Sequence, residues 1–420
     1  MRKAVVIGAG PVGCLAAQTL ADLGYAVEVY EKRPEYGGRP AASVGRTINL
    51  SVSPRGLRAL AAVGADKEVV DSAVAMDRRV VHQLQASVET RYGDPSWCNY
   101  SVGRNDLNKT LYRQARYHPG IRFEFGASCH AIDFERRRVV LDRSDGRRLT
   151  AGYDLLIGAD GTHSSVRSAM AQTGLTTVWR TPTGSGYTEL TLRPADTLEL
   201  QRSAIHVWPR GGFFLVGLPN QDETFRCTLV LPDVGEPTFT ELADPVRRHA
   251  VMAENFPDVY AGLGDLDRAI EGRRPAKIWT VRADRLVYRS SVALVGDAAH
   301  TIAPFLGQGI NLGFEDCLML GRALAAAPDD PKTALFEYAA DRVVNGDAAA
   351  QLSMLNFDSL AGASAASSNR RTVRDRVVPI DSFMVTAVNF SQLTYGEVLN
   401  QLDAHPVETP LELINIRSGT

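Results

Sequence analysis

The chain has 420 residues, which is long enough for two or three domains with hydrophobic cores of their own. Its 46 basic and 48 acidic residues nearly cancel, and no basic face with interleaved aromatic residues indicates nucleic-acid binding. These properties exclude a highly charged polymer as the expected partner and favour a small molecule.

The cysteines and histidines are scattered along the chain. The five cysteines occur singly, without a C-x-x-C pair, so we expect reduced thiols in an intracellular, cytoplasmic protein. The eight histidines lack metal-ligand spacing, so we expect no metal. The charged start leads directly into a strand and does not resemble a signal peptide. No stretch reaches the roughly 18 apolar residues of a membrane span, and we expect no membrane anchor.

A glycine-rich fingerprint opens the chain. Residues 3–13 read KAVVIGAGPVG, an apolar run that leads into G-x-G-x-x-G at Gly8, Gly10 and Gly13. This pattern predicts a strand, a tight turn and a helix whose first N–H groups face a pyrophosphate. Gly8 permits the turn, Gly10 leaves room for the phosphates, and Gly13 lets the helix pack closely on the strand.

A second strand that ends in an acidic residue supplies the context for this fingerprint. Residues 25–30 read YAVEVY, and Glu31 follows, 18 residues beyond Gly13. A carboxylate at this position hydrogen-bonds a ribose and repels a 2′-phosphate. The residues therefore predict bound FAD or NAD rather than NADP. The alternative is a glycine-rich turn that binds no ligand.

Two later strands also end in an aspartate. Residues 153–158 (YDLLIG) lead into GADGTHSSVR, which places Asp160 at the carboxyl end of a strand. Residues 291–295 (SVALV) lead in the same way into Asp297 and a glycine-rich helix start. Both positions suit an oxygen-rich ligand, although either aspartate could instead cap a helix.

Alternating apolar residues between these motifs predict an inserted antiparallel sheet. Residues 184–230 contain GYTELTL, AIHVWPR, GFFLVGLP and FRCTLVL, and one face of such a sheet could roof a pocket. From residue 121, FEFGA, CHAIDFE, RRVVLDR and RRLTA predict a small meander with a hairpin turn at Asp145 and Gly146. Residues 332–360 and 374–401 have helical periodicity, and the polar segment 361–372 between them is expected to be a loop.

The motifs G-x-G-x-x-G, D-G-x-x-S-x-x-R and G-D-A-A-H, in this order and at these separations, resemble the single-component FAD-dependent aromatic hydroxylases. The resemblance implies an α/β fold with a glutathione-reductase-like FAD-binding domain, an inserted antiparallel β-sheet substrate domain and a C-terminal helical region. We assign residues 1–75, 101–180 and 276–330 to the first, residues 76–100 and 181–275 to the second, and residues 331–420 to the third.

Within that family, the chain resembles most the members that hydroxylate kynurenine. The resemblance rests on RTINLSVSPRGLRAL, SVGRNDLNKTL, GYTELTL, HVWPR, LPN and GDAAHTIAPFLGQGINLGFEDC. It implies oxygenation of L-kynurenine, or of a ring-substituted kynurenine, ortho to the aniline amine. NADPH or NADH and O₂ would be the co-substrates, acting through a flavin C4a-hydroperoxide. The aniline activates its own ring, so we expect no dedicated protein base.

The same resemblance assigns site residues. Besides Gly8, Gly10 and Gly13, the implied FAD contacts are Val12, Glu31, Arg33, Ser51, Arg104, Cys129, Asp160, Asp297, Ile310 and Asn311. The implied substrate ligands are Arg79, Tyr92, Asn356 and Tyr395. The loop at the reactive face of the flavin contains Pro304, Phe305, Gly307, Gln308 and Gly309. An arginine suits a substrate carboxylate because it binds bidentately, and a tyrosine adds a phenol donor.

Two features depart from the family pattern. Ser359 and Leu360 stand where family members usually carry a Glu-Met pair, so we expect a different pocket around the ring or amine. The chain also ends at Thr420 without the apolar anchor of the membrane-bound members. Its oligomeric state stays open.

The alternative functions are a hydroxylase of another aromatic substrate, a flavoprotein without oxygenation or turnover, and a flavin-dependent halogenase. The isolated tryptophans count against the halogenase.

Overall fold

The computed structural model describes residues 2–35, 48–193, 200–264, 266–271, 274–361 and 379–404. Apart from its first residue, the predicted loop at residues 361–372 lies outside the described residues. The strands are β1 Lys3–Ile7, β2 Ala26–Glu31, β3 Asn49–Val52, β4 Val74–Met76, β5 Arg78–His82, β6 Ser87–Arg91, β7 Asn99–Gly103, β8 Ile121–Phe125, β9 Ala127–Asp133, β10 Arg138–Arg143, β11 Arg148–Gly152, β12 Leu155–Gly158, β13 Val178–Leu192, β14 Ala204–Pro209, β15 Phe214–Pro219, β16 Phe225–Pro232, β17 Ala276–Ala283, β18 Val287–Tyr288 and β19 Val292–Leu294. The helices are α1 Pro11–Asp22, α2 Pro54–Ala61, α3 Asp66–Asp71, α4 Arg104–Arg116, α5 Ser165–Gln172, α6 Pro245–Asn255, α7 Pro257–Tyr260, α8 Leu266–Glu271, α9 Gly309–Ala326, α10 Pro331–Ala361, α11 Pro379–Phe390 and α12 Tyr395–Ala404.

A six-stranded sheet that includes the first two strands of the chain forms the centre of the FAD-binding part of the fold. Its strand order is β18-β19-β12-β1-β2-β8, and β1 runs parallel to both β12 and β2. Parallel strands that are buried on both faces need a layer on each side. Helices α1, α4 and α9 supply one layer, and α5 with the β9–β11 meander supplies the other. The carboxyl ends of β1, β12 and β19 therefore lie side by side, and they carry the three predicted motifs to one edge.

The inserted sheet has seven strands in the order β17-β13-β16-β15-β14-β5-β6. Apart from the parallel pair of β14 and β5, its neighbours are antiparallel, which confirms the predicted architecture. Side chains alternate between its two faces. Phe214 and Val216 line a cavity, whereas Trp208, Leu215 and the other large side chains of the opposite face pack against α6, α7 and α8.

Two strands lie in different sheets from those predicted. The segment FEFGA was predicted to be part of the meander, but β8 runs parallel to β2 because α4 returns the chain to that edge. Residues 276–330 were assigned to the FAD-binding domain, but β17 pairs with β13 in the inserted sheet. The choice of neighbouring strand depends on hydrogen bonds to distant residues, which an alternating pattern does not report.

Helices α10, α11 and α12 form a further layer against the FAD-binding part of the fold. Their apolar side chains share one core with Ile302 and Leu312, which flank the start of α9. Among the residues described, no helix is both long and apolar enough to span a membrane.

A buried pair of histidines joins β5 to β14 on the face of the sheet away from the cavity. His206 Nε2 lies 2.9 Å from the carbonyl oxygen of Gln201, so it donates there, and its Nδ1 accepts from His82 Nε2 at 2.8 Å. His82 Nδ1 then accepts from the Ser87 hydroxyl at 2.9 Å. Burial and the neighbouring His206 lower the pKa of His82 to about 4. This chain of hydrogen bonds therefore requires two neutral rings.

We expect acid pH to destabilise the fold through His82. Its pKa of about 4 in the folded chain lies below the ordinary 6.5. The unfolded chain therefore binds more protons between these values, and stability is lost as the pH falls through that window. In His82→Gln, the melting temperature should fall less between pH 6.5 and 4 than in the wild type. His163→Gln, at an exposed site before α5, should keep the wild-type slope. An unchanged slope in His82→Gln would contradict this account.

Candidate active site

The first glycine motif connects β1 to α1 and leaves open space at the helix N-terminus. Gly8 has a φ of +103°, in the left-handed region that favours glycine. A Cβ on Gly13 would lie 1.9 Å from the carbonyl oxygen of Gly8, so a side chain there would push α1 away. A Cβ on Gly10 would meet no described atom within 4 Å. This space adjoins the first N–H groups of α1, which suit a pyrophosphate.

Glu31 ends β2 and is buried beside the same turn. Its Oε2 accepts a hydrogen bond from the Ala9 N–H at 2.8 Å, and its Oε1 accepts from both the backbone N–H and Nε of Arg33 at 2.9 Å. Burial opposes ionisation, but Arg33 outweighs it and holds the pKa of Glu31 below its ordinary value. A charged carboxylate therefore lies where the ribose of a dinucleotide is expected.

Asp160 follows β12 and uses its two carboxylate oxygens differently. Its Oδ2 accepts hydrogen bonds from the N–H groups of Ser165 at 2.6 Å and Val166 at 3.4 Å, so this oxygen caps the start of α5. Its Oδ1 is buried and has no hydrogen-bond partner in the described parts of the chain. Burial raises the pKa of Asp160. Because a buried oxygen normally has a donor, this one fits a hydroxyl or N–H group of a bound nucleotide.

Asp297 follows β19, in the short 3₁₀ helix Gly296–Ala298, and lines the central cavity. The Thr162 hydroxyl lies 3.4 Å from its Oδ2, and Arg167 Nη1 donates to its carbonyl oxygen at 3.1 Å. Burial raises the pKa of Asp297, while the nearby positive charge of Arg104 opposes the rise. A carboxylate and a guanidinium thus face one cavity at the end of the parallel sheet.

The loop Pro304–Gly309 is tied to β3 by the side chain of Asn311. Its Nδ2 donates to the carbonyl oxygens of Ser51 at 3.0 Å and Gly307 at 3.2 Å, and its Oδ1 accepts from the Ser53 N–H at 2.9 Å. The amide is therefore fully used within the protein. The backbone N–H of Asn311, in the first turn of α9, is the group that remains for a ligand.

A cavity of about 360 Å³ lies between the end of the parallel sheet, this loop and the inserted sheet. The predicted residues that line it are Gly10, Val12, Ser51, Arg79, Tyr92, Arg104, Asp297, Pro304, Phe305, Gly307, Gly309, Ile310 and Asn356. The wall from the inserted sheet is apolar and contains Ile205, Val207, Phe214, Val216, Leu218 and Val230. The structure thus brings predicted cofactor and substrate residues together around one space.

The other predicted residues lie outside this lining. Gly8, Gly13, Glu31 and Arg33 lie at the dinucleotide turn described above. Cys129 is on β9, where burial and then the charge of Asp160 raise its pKa to about 12. Tyr395 lies behind the loop, and its hydroxyl donates to Gln308 Oε1 at 3.0 Å. In turn, Gln308 Nε2 donates to Asn389 Oδ1 at 2.9 Å, so Tyr395 and Asn389 hold the loop residue Gln308 from behind.

One end of the cavity is polar. Arg79 reaches it from β5, and Tyr92 lies beside it with its ring 4.9 Å from that of Phe390. The Tyr92 hydroxyl is buried and lacks a hydrogen-bond partner among the residues described, and burial raises its pKa to about 12. It is therefore a protonated donor at neutral pH. Asn99 lines the same end. Asn99 is not among the residues predicted from the sequence, because a lone asparagine in SWCNYSVG matches no motif.

A buried carboxylate lies behind the motif that contains Asp297. Asp316 on α9 accepts hydrogen bonds from the Gly296 N–H and from Arg342 Nε, both at 2.7 Å, and its Oδ2 lies 2.9 Å from His300 Nε2. Burial opposes ionisation of Asp316, but His300 and Arg342 outweigh it and hold its pKa below the ordinary value. The backbone of the Gly296 turn is therefore anchored by a buried charge.

The same ion pairs continue to the loop. Arg342 Nη1 lies 3.0 Å from Glu315 Oε2, and the other oxygen of Glu315 lies 2.7 Å from Arg55 Nη1. The Arg55 guanidinium lies 4.4 Å from the centre of the Tyr395 ring. A continuous set of buried polar contacts thus runs from the Gly296 turn to Gln308 and will be called the Asp316 network.

These features fit FAD. The open space at Gly10 and the N–H groups of α1 would hold the pyrophosphate, and Glu31 would hold the ribose of the adenosine. The unpartnered oxygen of Asp160 supplies a further acceptor. Asp297 and the backbone of the Pro304–Gly309 loop would face the flavin.

A protein-family model described as an FAD binding domain matches residues 1–353. Among solved structures, a tetrameric form of 2-methyl-3-hydroxypyridine-5-carboxylic acid oxygenase has a TM-score of 0.70 at 22% identity, covering 87% of this chain and 94% of that one. Klebsiella pneumoniae HpxO, in a complex with FAD and uric acid, has a TM-score of 0.67 at 22% identity, with coverages of 86% and 90%. The chain has the fold of these two proteins, and it is an FAD-dependent aromatic monooxygenase.

Curated relatives define the family more narrowly. Kynurenine 3-monooxygenase of Salinispora arenicola is 38% identical over 365 residues, which covers 85% of this chain and 80% of that protein. The enzyme of the same name from Legionella pneumophila (strain Corby) is 34% identical over 359 residues, again covering 85% and 80%. The chain belongs to the kynurenine 3-monooxygenase family, which confirms the resemblance inferred from the motifs.

We expect Gly10→Val to lose FAD without losing the fold. The new side chain would fill the open space at the start of α1, where it meets the pyrophosphate rather than protein atoms. The measurements are flavin absorbance per protein and thermal melting. Gly13→Ala is the matched control for damage to the fold. Its Cβ collides with the Gly8 carbonyl oxygen, so this variant should have a lower melting temperature even as the apoprotein. Wild-type FAD content in Gly10→Val would contradict the assignment.

Proposed function

We propose that this chain hydroxylates L-kynurenine ortho to the aniline amine, with bound FAD and with NADPH or NADH and O₂ as co-substrates. The observation that carries the proposal is the division of the cavity into a polar end at Arg79 and Tyr92 and an apolar wall that leads to the Pro304–Gly309 loop. Kynurenine is divided in the same way, into an amino-acid end and an aminophenyl ring. The names of the curated relatives support the same substrate.

The polar end would bind the carboxylate of the substrate. A guanidinium such as that of Arg79 can donate two parallel hydrogen bonds to a carboxylate, and the Tyr92 phenol adds a third donor. Asn356 Nδ2 donates to the Phe305 carbonyl oxygen at 2.6 Å, while its Oδ1 is buried without a described partner and is available to accept from the substrate. Holding one end of the molecule sets the distance of its ring from the loop.

The apolar wall would hold the ring and exclude water. The Phe305 ring centre lies 4.4 Å from that of Phe357 and 5.8 Å from that of Phe214, so the loop is packed against the wall by aromatic contacts. FAD held by the dinucleotide turn and this loop would supply the oxygen-transfer chemistry, with electrons from the pyridine nucleotide and oxygen from O₂. The aniline amine enriches the ortho carbon in electrons, so the protein needs to orient the ring and keep water out.

The first test is NADPH oxidation by the FAD-loaded protein with and without L-kynurenine, followed by mass analysis of the product. We expect the substrate to stimulate oxidation and to gain one oxygen atom. Absence of both effects would contradict the substrate assignment. Stimulated oxidation without oxygen gain would instead identify a flavoprotein that does not oxygenate.

Arg79→Ala should weaken L-kynurenine binding by about 3 kcal/mol, or roughly 100-fold, because the substrate carboxylate loses its counter-charge. Steady-state kinetics should show the loss in kcat/KM. Arg78→Ala is the matched control, since Arg78 lies next along β5 and contacts Asp77 and Glu89, both at 2.7 Å. Equal losses in both variants would contradict the role of Arg79.

Tyr395→Phe should lower kcat roughly 5- to 10-fold with little change in KM, because it removes one buried hydrogen bond to Gln308. We place Tyr395 as a positioning residue of the loop, so more NADPH should also be consumed per product formed. Tyr338→Phe is the control, since it removes a buried hydrogen bond to the Leu294 carbonyl oxygen away from the loop. A rise in KM with unchanged kcat would instead show that Tyr395 contacts the substrate.

A further inference from the structure

Asn99 has an unused buried oxygen at the polar end of the cavity. It begins β7, where it pairs with Met76 of β4, and only 2% of the residue is exposed. Its Oδ1 has no hydrogen-bond partner in the parts of the chain that the structure describes. Since buried amide oxygens in folded proteins are nearly always bonded, this one is available to a donor of a bound molecule.

The setting of Asn99 is rigid. The Trp97 ring, two residues before it, stacks on Phe390 with ring centres 5.1 Å apart and planes 5° from parallel. The Phe390 ring also packs against that of Tyr92, so the aromatic rings around the amide are packed together. The Asn99 amide lies beside the Tyr92 phenol, where it opposes the rise in the pKa of Tyr92 that burial causes. Rotation of the amide onto a distant partner is therefore restricted.

The residues around Asn99 indicate which kind of ligand group would donate to its Oδ1. Arg79 and Tyr92 line the same end and both donate hydrogen bonds, so together they suit an anionic group. Asn99 Oδ1 adds an acceptor beside them. An α-amino acid presents a carboxylate and an ammonium on neighbouring atoms, and it matches two donors with an acceptor beside them.

We propose that Asn99 Oδ1 accepts a hydrogen bond from the α-ammonium of the substrate and thereby makes the site selective for an α-amino acid over the corresponding simple acid. The inference rests on the proposed function, because it concerns the substrate bound at Arg79 and Tyr92. Asn99 acts on binding and not on the oxygen-transfer step. Its removal should therefore appear in KM and not in kcat.

The test compares L-kynurenine with 4-(2-aminophenyl)-4-oxobutanoate, which keeps the ring and carboxylate but lacks the ammonium. We expect the wild type to prefer L-kynurenine. In Asn99→Leu, kcat/KM for L-kynurenine should fall roughly 10- to 100-fold through KM, while the value for the deaminated compound should change less than about 2-fold. Asn108→Leu, at a buried asparagine of α4 outside the cavity lining, controls for damage to the fold.

Asn99→Asp shows whether the oxygen or the N–H group of the Asn99 amide contacts the substrate. If Oδ1 meets the ammonium, a carboxylate at this position should keep the KM for L-kynurenine at or below the wild-type value. A higher KM for L-kynurenine in Asn99→Asp would show that the amide N–H faces the substrate carboxylate, and it would overturn the proposal. Equal losses for both compounds in Asn99→Leu would also overturn it, because a structural role affects both alike.

The outcome for the wild type separates this inference from the proposed function. If the wild type oxidises neither compound, the proposed function fails and this inference fails with it. If the wild type hydroxylates L-kynurenine but shows no preference over the deaminated compound, only the role of Asn99 is overturned.

Discussion

The Asp316 network is the constraint on which the rest of the site depends. Two carboxylates, two guanidinium groups and an imidazole are buried together, so each charge is tolerable only because its partners are in place. Removing one partner of such a pair typically costs about 3–5 kcal/mol, because it leaves a buried charge uncompensated. The groups come from α2, α9, α10 and the turn that follows β19. Correct charge pairing therefore forces these distant segments into one arrangement.

The consequence for function is a loop that is held from several directions. Asn311 ties Gly307 to β3, Gln308 is bonded to both Tyr395 and Asn389, and Asn356 binds the carbonyl oxygen of Phe305. A loop fixed in this way is organised before any ligand arrives. The inserted sheet then supplies an apolar wall opposite the loop, and β5 at its edge brings Arg79 to the far end of the same cavity.

Short-range patterns predicted the strand, turn and helix of the first glycine motif, which the structure contains. The roles of Gly10 and Gly13 follow from what a single Cβ would meet, and a motif of a few residues encodes that geometry. Asp160 illustrates the limit of such patterns, because its position in the sequence is compatible with either helix capping or ligand binding. In the structure its Oδ2 caps α5, whereas its Oδ1 has no partner among the described residues. Asn99 carried no pattern, because its significance comes only from the residues that pack around it.

The sequence by itself determined the FAD fingerprint, the three strand-end motifs, the alternation of the inserted sheet and the family. Each of these is local, since turn geometry, strand period and capping act over a few residues. Only the tertiary structure decided that β17 joins the inserted sheet, that β8 joins the parallel one, and that Tyr395 lies behind the loop instead of lining the cavity. Those outcomes depend on hydrogen bonds and ion pairs between residues far apart in the chain. Such partners are chosen by which buried groups satisfy one another, and a local pattern does not contain that information.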